Sequence, residues 1–205
     1  MPTCPQNEHT IELMKALDTA DSTTGKAHDI LNAGYGAVGL YFRSDRTSLQ
    51  SVQGLHTEGL KIWFVWESGY PTSGDYFTAD QGEHDGLSAA KYAGELGVPS
   101  RTQLFAAVDF DADWDNDGDG ITEYFTAYQT AVKSWGYLAS VYGSGLVCEK
   151  LVEAGLAHSG WLAGATGWAG YANFKPKACI VQALEAKVLG MDVDLDEVID
   201  QSVLW

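Results

Sequence analysis

Acidic residues stand where several apolar runs of the chain end. In LFAAVDFD, Asp109 closes one such run and Asp111 lies two residues on; Asp18 sits in ALDTA, Glu67 in FVWES and Asp194 in DVDLD. If these runs are strands, the two-residue side-chain period points Asp109 and Asp111 to one face. Like charges converging in a partly dry site raise at least one pKa, which yields a general acid at neutral pH. A pair of carboxylates flanking a glycosidic bond is the usual equipment of a glycosidase. One acid at a strand end is ordinarily a cap or an ion-pair partner, whereas four strands each delivering one to the same rim point to acid–base chemistry. Asp109 and Asp111 are the expected core pair, with Glu67 or Asp111 as proton donor. Asp18 and Asp194 are expected to orient water or the sugar ring.

Aromatic residues fall at or just beyond the same ends: Tyr41, Trp66, Tyr142, Trp161 and Trp168. A flat ring with a polar edge stacks on a sugar face and still donates a hydrogen bond. Seven tryptophans in 205 residues tilt the reading from core packing toward a carbohydrate cleft. The segment DADWDNDGDG follows the acid pair. Asp115, Asp117, Asp119 and Gly120 stand at positions 1, 3, 5 and 6 of a calcium loop, but Thr126 holds the twelfth position, where an EF-hand needs Glu. The segment reads either as a structural calcium site completed by Glu123 or as a solvated acidic turn that favours a helix N-terminus. No cofactor is required by the expected chemistry.

The elements that must position these residues alternate. AVGLYF (37–42), LKIWFVW (60–66), QLFAAVDF (103–110) and YLASVYG (137–143) are short and rich in β-branched or aromatic residues, as strands buried on both faces are. Weaker strand signals lie at 13–20, 160–164, 178–184 and 190–195. Helices are expected over 22–32, 47–58 with Thr47 as cap, 80–96, 121–135 and 146–155, several of them closed by a glycine. About eight strands alternating with helices predict a parallel sheet with right-handed crossovers, and at this length a compact single-domain (β/α)8 TIM-type barrel. An open doubly wound sheet is the competitor.

Composition narrows the function. Twelve Lys and Arg against 28 Asp and Glu leave a formal net charge of −16, which disfavours nucleic acid and anionic membranes as partners. No apolar run approaches the roughly 20 residues of a membrane span, and MPTCPQNEHT carries no visible signal peptide. Cys4, Cys148 and Cys179 read as unpaired thiols. GYGAVG (34–39) matches a dinucleotide string but follows a helix and enters a strand, the reverse of the required context. STTGKA (22–27) and YGSGL (142–146) fail as a phosphate loop and a nucleophile elbow, and the five histidines form no H-E-x-x-H.

One ordered set of segments covers the chain from about Leu17 to about Asp196. It comprises Asp18-Thr19, GYGAVGLYF, GLKIWFVWES, the D-G-x-x-A-A-x-x-A-x-x-L-G-V-P run from Asp85 to Pro99, LFAAVDFDA, YFTAYQ, VYGSGLVCEKL, GWLAG and IVQAL…VDLD. As a set it resembles the bacterial glycoside-hydrolase-like domain, a family similar to the family-25 lysozymes, N-acetylmuramidases with a (β/α)8-type barrel. The resemblance implies that Asp18 matches the acid ending the first strand. It implies that Asp109 and Asp111 match the acid pair ending the fourth, and that Gln182 and Asp194 match the last two strands. The muramidases carry Asp-x-Glu at the fourth strand, with the Glu as proton donor, where this chain has Asp109-Phe110-Asp111. An aspartate reaches less far by more than about 1 Å, and Glu67 on the neighbouring strand offers the longer acid.

The expected function is therefore a lysozyme-like glycosidase acting on cell-wall peptidoglycan, with wall glycan as partner and Tyr41, Trp66, Tyr142, Trp161 and Gln182 as substrate contacts. The alternative is a non-catalytic glycan-binding module on the same barrel; a calcium-stabilised interaction domain is a third reading. A monomer is expected, working outside the cell, at the wall, or as a phage enzyme released at lysis.

Overall fold

The structure is a computed structural model and describes residues 13–43 and 45–205; Cys4 and the segment read for a signal peptide lie outside the described residues. In chain order the elements are β1 (Met14–Thr19), α1 (Ala27–Asn32), β2 (Ala37–Tyr41), α2 (Leu49–Thr57), β3 (Lys61–Trp66), α3 (Ala79–Glu95) and β4 (Gln103–Ala107). They continue with α4 (Trp114–Ser134), β5 (Leu138–Gly143), α5 (Gly145–Glu153), β6 (Gly160–Leu162), α6 (Tyr171–Phe174), β7 (Ile180–Val188) and β8 (Met191–Val198). The eight strands close into a barrel in sequence order, the expected TIM-type architecture.

One expectation about the sheet fails. The first seven strands run parallel, but β8 is antiparallel to both β7 and β1. The connection from β7 to β8 is the two-residue turn Leu189-Gly190, both at positive φ (52° and 76°). Such a turn matches the twist of a hairpin, whereas a parallel return needs a crossover of about a dozen residues. Asp194 therefore reaches the cleft from within a reversed strand and not from a strand end.

Strand alternation divides the core into two layers. Val38, Leu40, Ile62, Phe64, Leu104 and Val141 face outward and pack under the helices. Trp63, Val65, Phe105, Tyr142, Trp161, Ile180 and Val198 face inward and fill the barrel. The interior takes two indoles because small residues stand opposite them: a Cβ on Gly39 would lie 2.5 Å from Trp63 Cζ2 and 2.7 Å from Asp18 Cβ. Trp161 meets Trp63 edge-on at 5.5 Å and Tyr142 at 4.6 Å between ring centroids, the geometry ring quadrupoles favour.

Val203 closes the pole opposite the strand C-termini. There Trp205 exchanges two 2.8 Å backbone hydrogen bonds with Ile62, extending the ladder below the point where β3 meets β4. Among the described residues Cys148 and Cys179 are free, and both are buried. Among the described residues no helix is long and apolar enough to cross a membrane.

The helices follow their caps. Ser48, not Thr47, caps α2 in a reciprocal capping box with Ser51. Thr47 is buried and donates its hydroxyl to Tyr41 O at 2.6 Å. The expected helix over 22–32 is only the six residues of α1. The expected helix over 121–135 begins seven residues earlier, at Trp114, which changes the reading of the acidic segment below.

Candidate active site

At the C-terminal ends of the parallel strands lies a cleft of about 660 Å³, walled by Tyr41, Glu67, Asp109, Tyr142, Trp168, Gln182, Glu185 and Asp194. A side lobe of about 330 Å³ opens over Asp18, Thr19 and Asp192. The topology thus brings Asp18, Glu67, Asp109 and Asp194 to one mouth.

Asp111 does not join them. β4 ends at Ala107, and the chain leaves the sheet with Asp109 N bonded to Pro71 O at 2.9 Å. The two-residue period on which the Asp109–Asp111 pairing rested stops with the strand. Asp111 turns outward, is exposed, and accepts a hydrogen bond from Ala169 N at 2.7 Å, tying the loop after β4 to the loop after β6.

The substrate-contact residues divide in the same way. Tyr41, Tyr142 and Gln182 line the cleft, and Trp168 joins them. Trp66 does not, because its neighbour Glu67 faces inward; the indole lies on the outer flank beside Arg43, Ser88, Lys91 and Tyr92. Trp161 is 1% exposed and forms part of the barrel filling beneath the cleft, where no sugar ring reaches it.

The acidic segment is helix, not loop. Asp113 caps α4, accepting from Asp115 N at 3.2 Å, and Asp117 Oδ2 returns the bond to Asp113 N at 2.9 Å. Helical spacing carries Asp115 and Asp119 to one side and Asp117 to the other, which is not the calcium-loop geometry; of the two readings of the segment, acids at a helix N-terminus is the one this arrangement matches. Among the described residues no three His, Cys, Asp or Glu side chains are grouped to hold a metal ion. The helix starts early because an Asp cap and acids in the first turn stabilise its N-terminus.

Gln182 organises the floor. The Gly164 N–H can only donate, so the oxygen it meets at 3.0 Å must be Gln182 Oε1, which also accepts from Tyr142 OH at 2.9 Å. The amide nitrogen then faces two carboxylates, donating to Asp18 Oδ2 at 3.1 Å and to Asp194 Oδ2 at 3.2 Å. Two donors and two acceptor positions are all used, so neither the amide nor the acids it touches are free to turn.

Burial sets the charge state of the acids. Glu67 is pushed up to about 7, first by burial and then by the charge of Asp109, with Arg43 pulling the other way. Burial also raises Asp109, and it raises Asp194 with help from Glu185 and Asp109. Asp18, 1% exposed, is pushed up to about 7 by burial, opposed by the Gln182 hydrogen bond. Tyr41 and Tyr142 are pushed upward, burial first, and stay neutral.

Two residues at the site escaped the sequence reading. Glu185 lies past the expected end of the seventh strand, beyond a bulge that follows Gln182. Asp196 sits two residues beyond Asp194 on β8, is 3% exposed, and accepts from Trp161 Nε1 at 2.9 Å. The two-residue period would have found it.

Residues 28–204 match the family described as "Rv2525c-like, glycoside hydrolase-like domain". The chain is 36% identical over 181 residues to the uncharacterized protein YbfG of Bacillus subtilis, an alignment covering 78% of this chain and 24% of that protein. It spans about a quarter of the length of the curated relatives it matches. Among solved structures, the Tat-secreted protein Rv2525c of Mycobacterium tuberculosis, in complex with L-tartrate, superposes with a TM-score of 0.77 at 20% identity over 91% of this chain and 96% of that one. The modular autolysin LytC of Streptococcus pneumoniae, in complex with a synthetic peptidoglycan ligand, superposes at 0.60 and 12% identity over 91% and 46%. At these identities the two structures share the fold.

Proposed function

The chain belongs to the Rv2525c-like glycoside hydrolase-like family, and from that premise we propose that it is a glycosidase that cleaves bacterial cell-wall peptidoglycan, acting at the wall. The observation that carries the reading is the pairing of Glu67 with Asp109 in the cleft, where burial and the neighbouring charge keep Glu67 protonated near neutral pH. A protonated carboxyl beside an ionised one is the division of labour that glycosidic cleavage needs. Glu67 donates its proton to the leaving oxygen. Asp109 faces the developing positive charge at the sugar carbon or takes the proton of the attacking water. Asp194, held by Gln182, presents a second carboxylate, and Tyr41 and Trp168 offer flat walls for the ring. A fold shared with an autolysin bound to a peptidoglycan ligand supports wall glycan as the substrate class.

The test is release of reducing ends from purified peptidoglycan by the full chain, beside Glu67→Gln and Asp109→Asn. Release by the wild type that falls about a hundredfold or more in both variants is expected. Equal, background-level release in all three overturns the reading.

One observation favours a second reading, a glycan-binding module without catalysis: Asp111 is turned out of the cleft, so the fourth strand supplies one acid and not two. Glycan binding without reducing-end release would establish it.

A further inference from the structure

Asp85 and Asp196 are both deeply buried acids, and they are satisfied very differently. Asp85, 1% exposed between α3 and α4, accepts three donors shared between its two oxygens: Gln81 Nε2 at 2.8 Å, Tyr76 OH at 2.5 Å and Tyr124 OH at 2.8 Å. Asp196 accepts only the Trp161 indole N–H, on Oδ1, and its Oδ2 is buried with no donor among the described residues. A buried ionised oxygen without a donor is strongly disfavoured. A proton on Oδ2 removes the problem, provided an acceptor is near.

Asp18 is that acceptor. In the β1–β8 ladder Asp18 stands opposite Asp194 and Asp196 opposite Ala16, so the two side chains lie two rungs apart and enter the barrel on the same face. They lie within hydrogen-bonding reach of each other, and burial together with the Asp18 charge raises Asp196 well above the carboxylate range. Asp18 Oδ2 is already an acceptor, because Gln182 donates to it. The titratable groups around the pair are Asp192 and Asp194 on β8, Glu67 at the end of β3, Glu185 on β7, Asp109 after β4, Tyr41 on β2 and Tyr142 on β5. The cleft acids repel a second negative charge, and no cation lines either lobe of the cleft among the described residues.

We propose that Asp196 is a positioning residue that remains protonated beneath the cleft and donates its proton to Asp18. The relay runs Trp161 to Asp196 to Asp18, while Gln182 holds Asp18 to Asp194. It keeps Asp18 as an acceptor and thereby fixes the Gln182 amide that aims Asp194 into the cleft. Asp196 touches no sugar; its effect on glycan handling rests on the function proposed above, whereas its protonation does not.

The experiment follows carboxyl carbons in the full chain labelled with 13C-aspartate, well above pH 7, where Asp18 and Glu67 have ionised. One aspartic acid resonance of the protonated form is expected in the wild type and is expected to vanish in Asp196→Asn. Its absence from the wild type, or its survival in the variant, overturns the proposal. Binding of soluble peptidoglycan strands gives the second readout. Asparagine keeps an acceptor for Trp161 and a donor for Asp18, so Asp196→Asn should stay within about threefold of wild-type affinity, while Asp196→Leu should lose about tenfold or more. Equal loss in both variants overturns the proposal. If Asp196→Leu does not fold, the labelled wild type and Asp196→Asn decide. Should the protein bind no glycan, the resonances still decide Asp196, and only the functional reading falls.

Discussion

Asp18 and Asp194 face each other as paired residues across the antiparallel β1–β8 seam, and the single amide of Gln182 bridges their carboxylates at 3.1 and 3.2 Å. Two acids from opposite ends of the chain are held as acceptors of one donor group. The charge state of the cleft therefore depends on a residue that bears no charge.

Gln182→Glu is expected to be more damaging at pH 8 than at pH 5. The variant replaces a double donor with an acceptor between two acids, and at high pH all three repel. A loss of about 2–4 kcal/mol in unfolding free energy is expected at pH 8, with a smaller loss at pH 5. Urea denaturation at both values measures it, and an equal loss at both would show that the amide is not bridging carboxylates.

Stability should fall as pH rises. Asp18 and Glu67 are pushed up to about 7 in the folded chain, from ordinary values of 3.8 and 4.5. Between those limits the folded state binds more protons than the unfolded state, so unfolding free energy decreases with pH; the contribution of these two groups levels off above about 7, while the proton held by Asp196 keeps stability falling beyond it. Calorimetry should give a melting temperature at pH 5 higher than at pH 8 by about 3 °C or more. Asp18→Asn should flatten part of that slope; a profile rising with pH would contradict burial as the cause of both shifts.

Asp109 and Asp111 should separate cleanly in activity. Asp109→Asn removes a cleft carboxylate and should lower reducing-end release by about a hundredfold or more, whereas Asp111→Asn keeps an oxygen that accepts from Ala169 N, loses only its charge, and should change release by less than about threefold. A severe loss in Asp111→Asn would return that residue to the catalytic pair.

Gly39→Ala is expected to lose about 2–3 kcal/mol, because the new methyl group meets the Trp63 ring and Asp18 Cβ in a filled barrel. Chemical denaturation reports the loss. A neutral outcome would mean that the packing between the two indoles is loose.

The fold was largely legible because each strand is a short apolar run that no amphipathic helix could use, and all eight strands fall within or close to the runs that signalled them. The direction of β8 was not. Period-two patterning is the same in either direction, and the usable signal was spacing: too few residues separate the Gln182 run from the Asp194 run to hold a crossover. At the site, Asp18, Glu67, Asp109 and Asp194 were legible as acids interrupting apolar runs. Asp111 was misplaced because strand alternation was carried past Ala107, where the sheet stops. Trp66 was misplaced because adjacent residues of a strand cannot both face the cleft, and Glu67 already does. Trp161 lies one layer too deep, a matter of depth that a linear pattern does not encode. Asp115, Asp117 and Asp119 looked like loop because their glycines and acids suit turns, yet Asp113 starts a helix there.

The seam between β1 and β8 joins residues nearly the whole chain apart, and Asp18, Asp194 and Asp196 come together only across it. Contacts so distant in sequence carry the greatest closure entropy. A nascent chain still on the ribosome, or a fragment clipped near either end, can hold most of its helices and several paired strands while having no mouth to offer a sugar. On the function proposed above, recognition of a glycan is itself a report that the ring of strands has been completed.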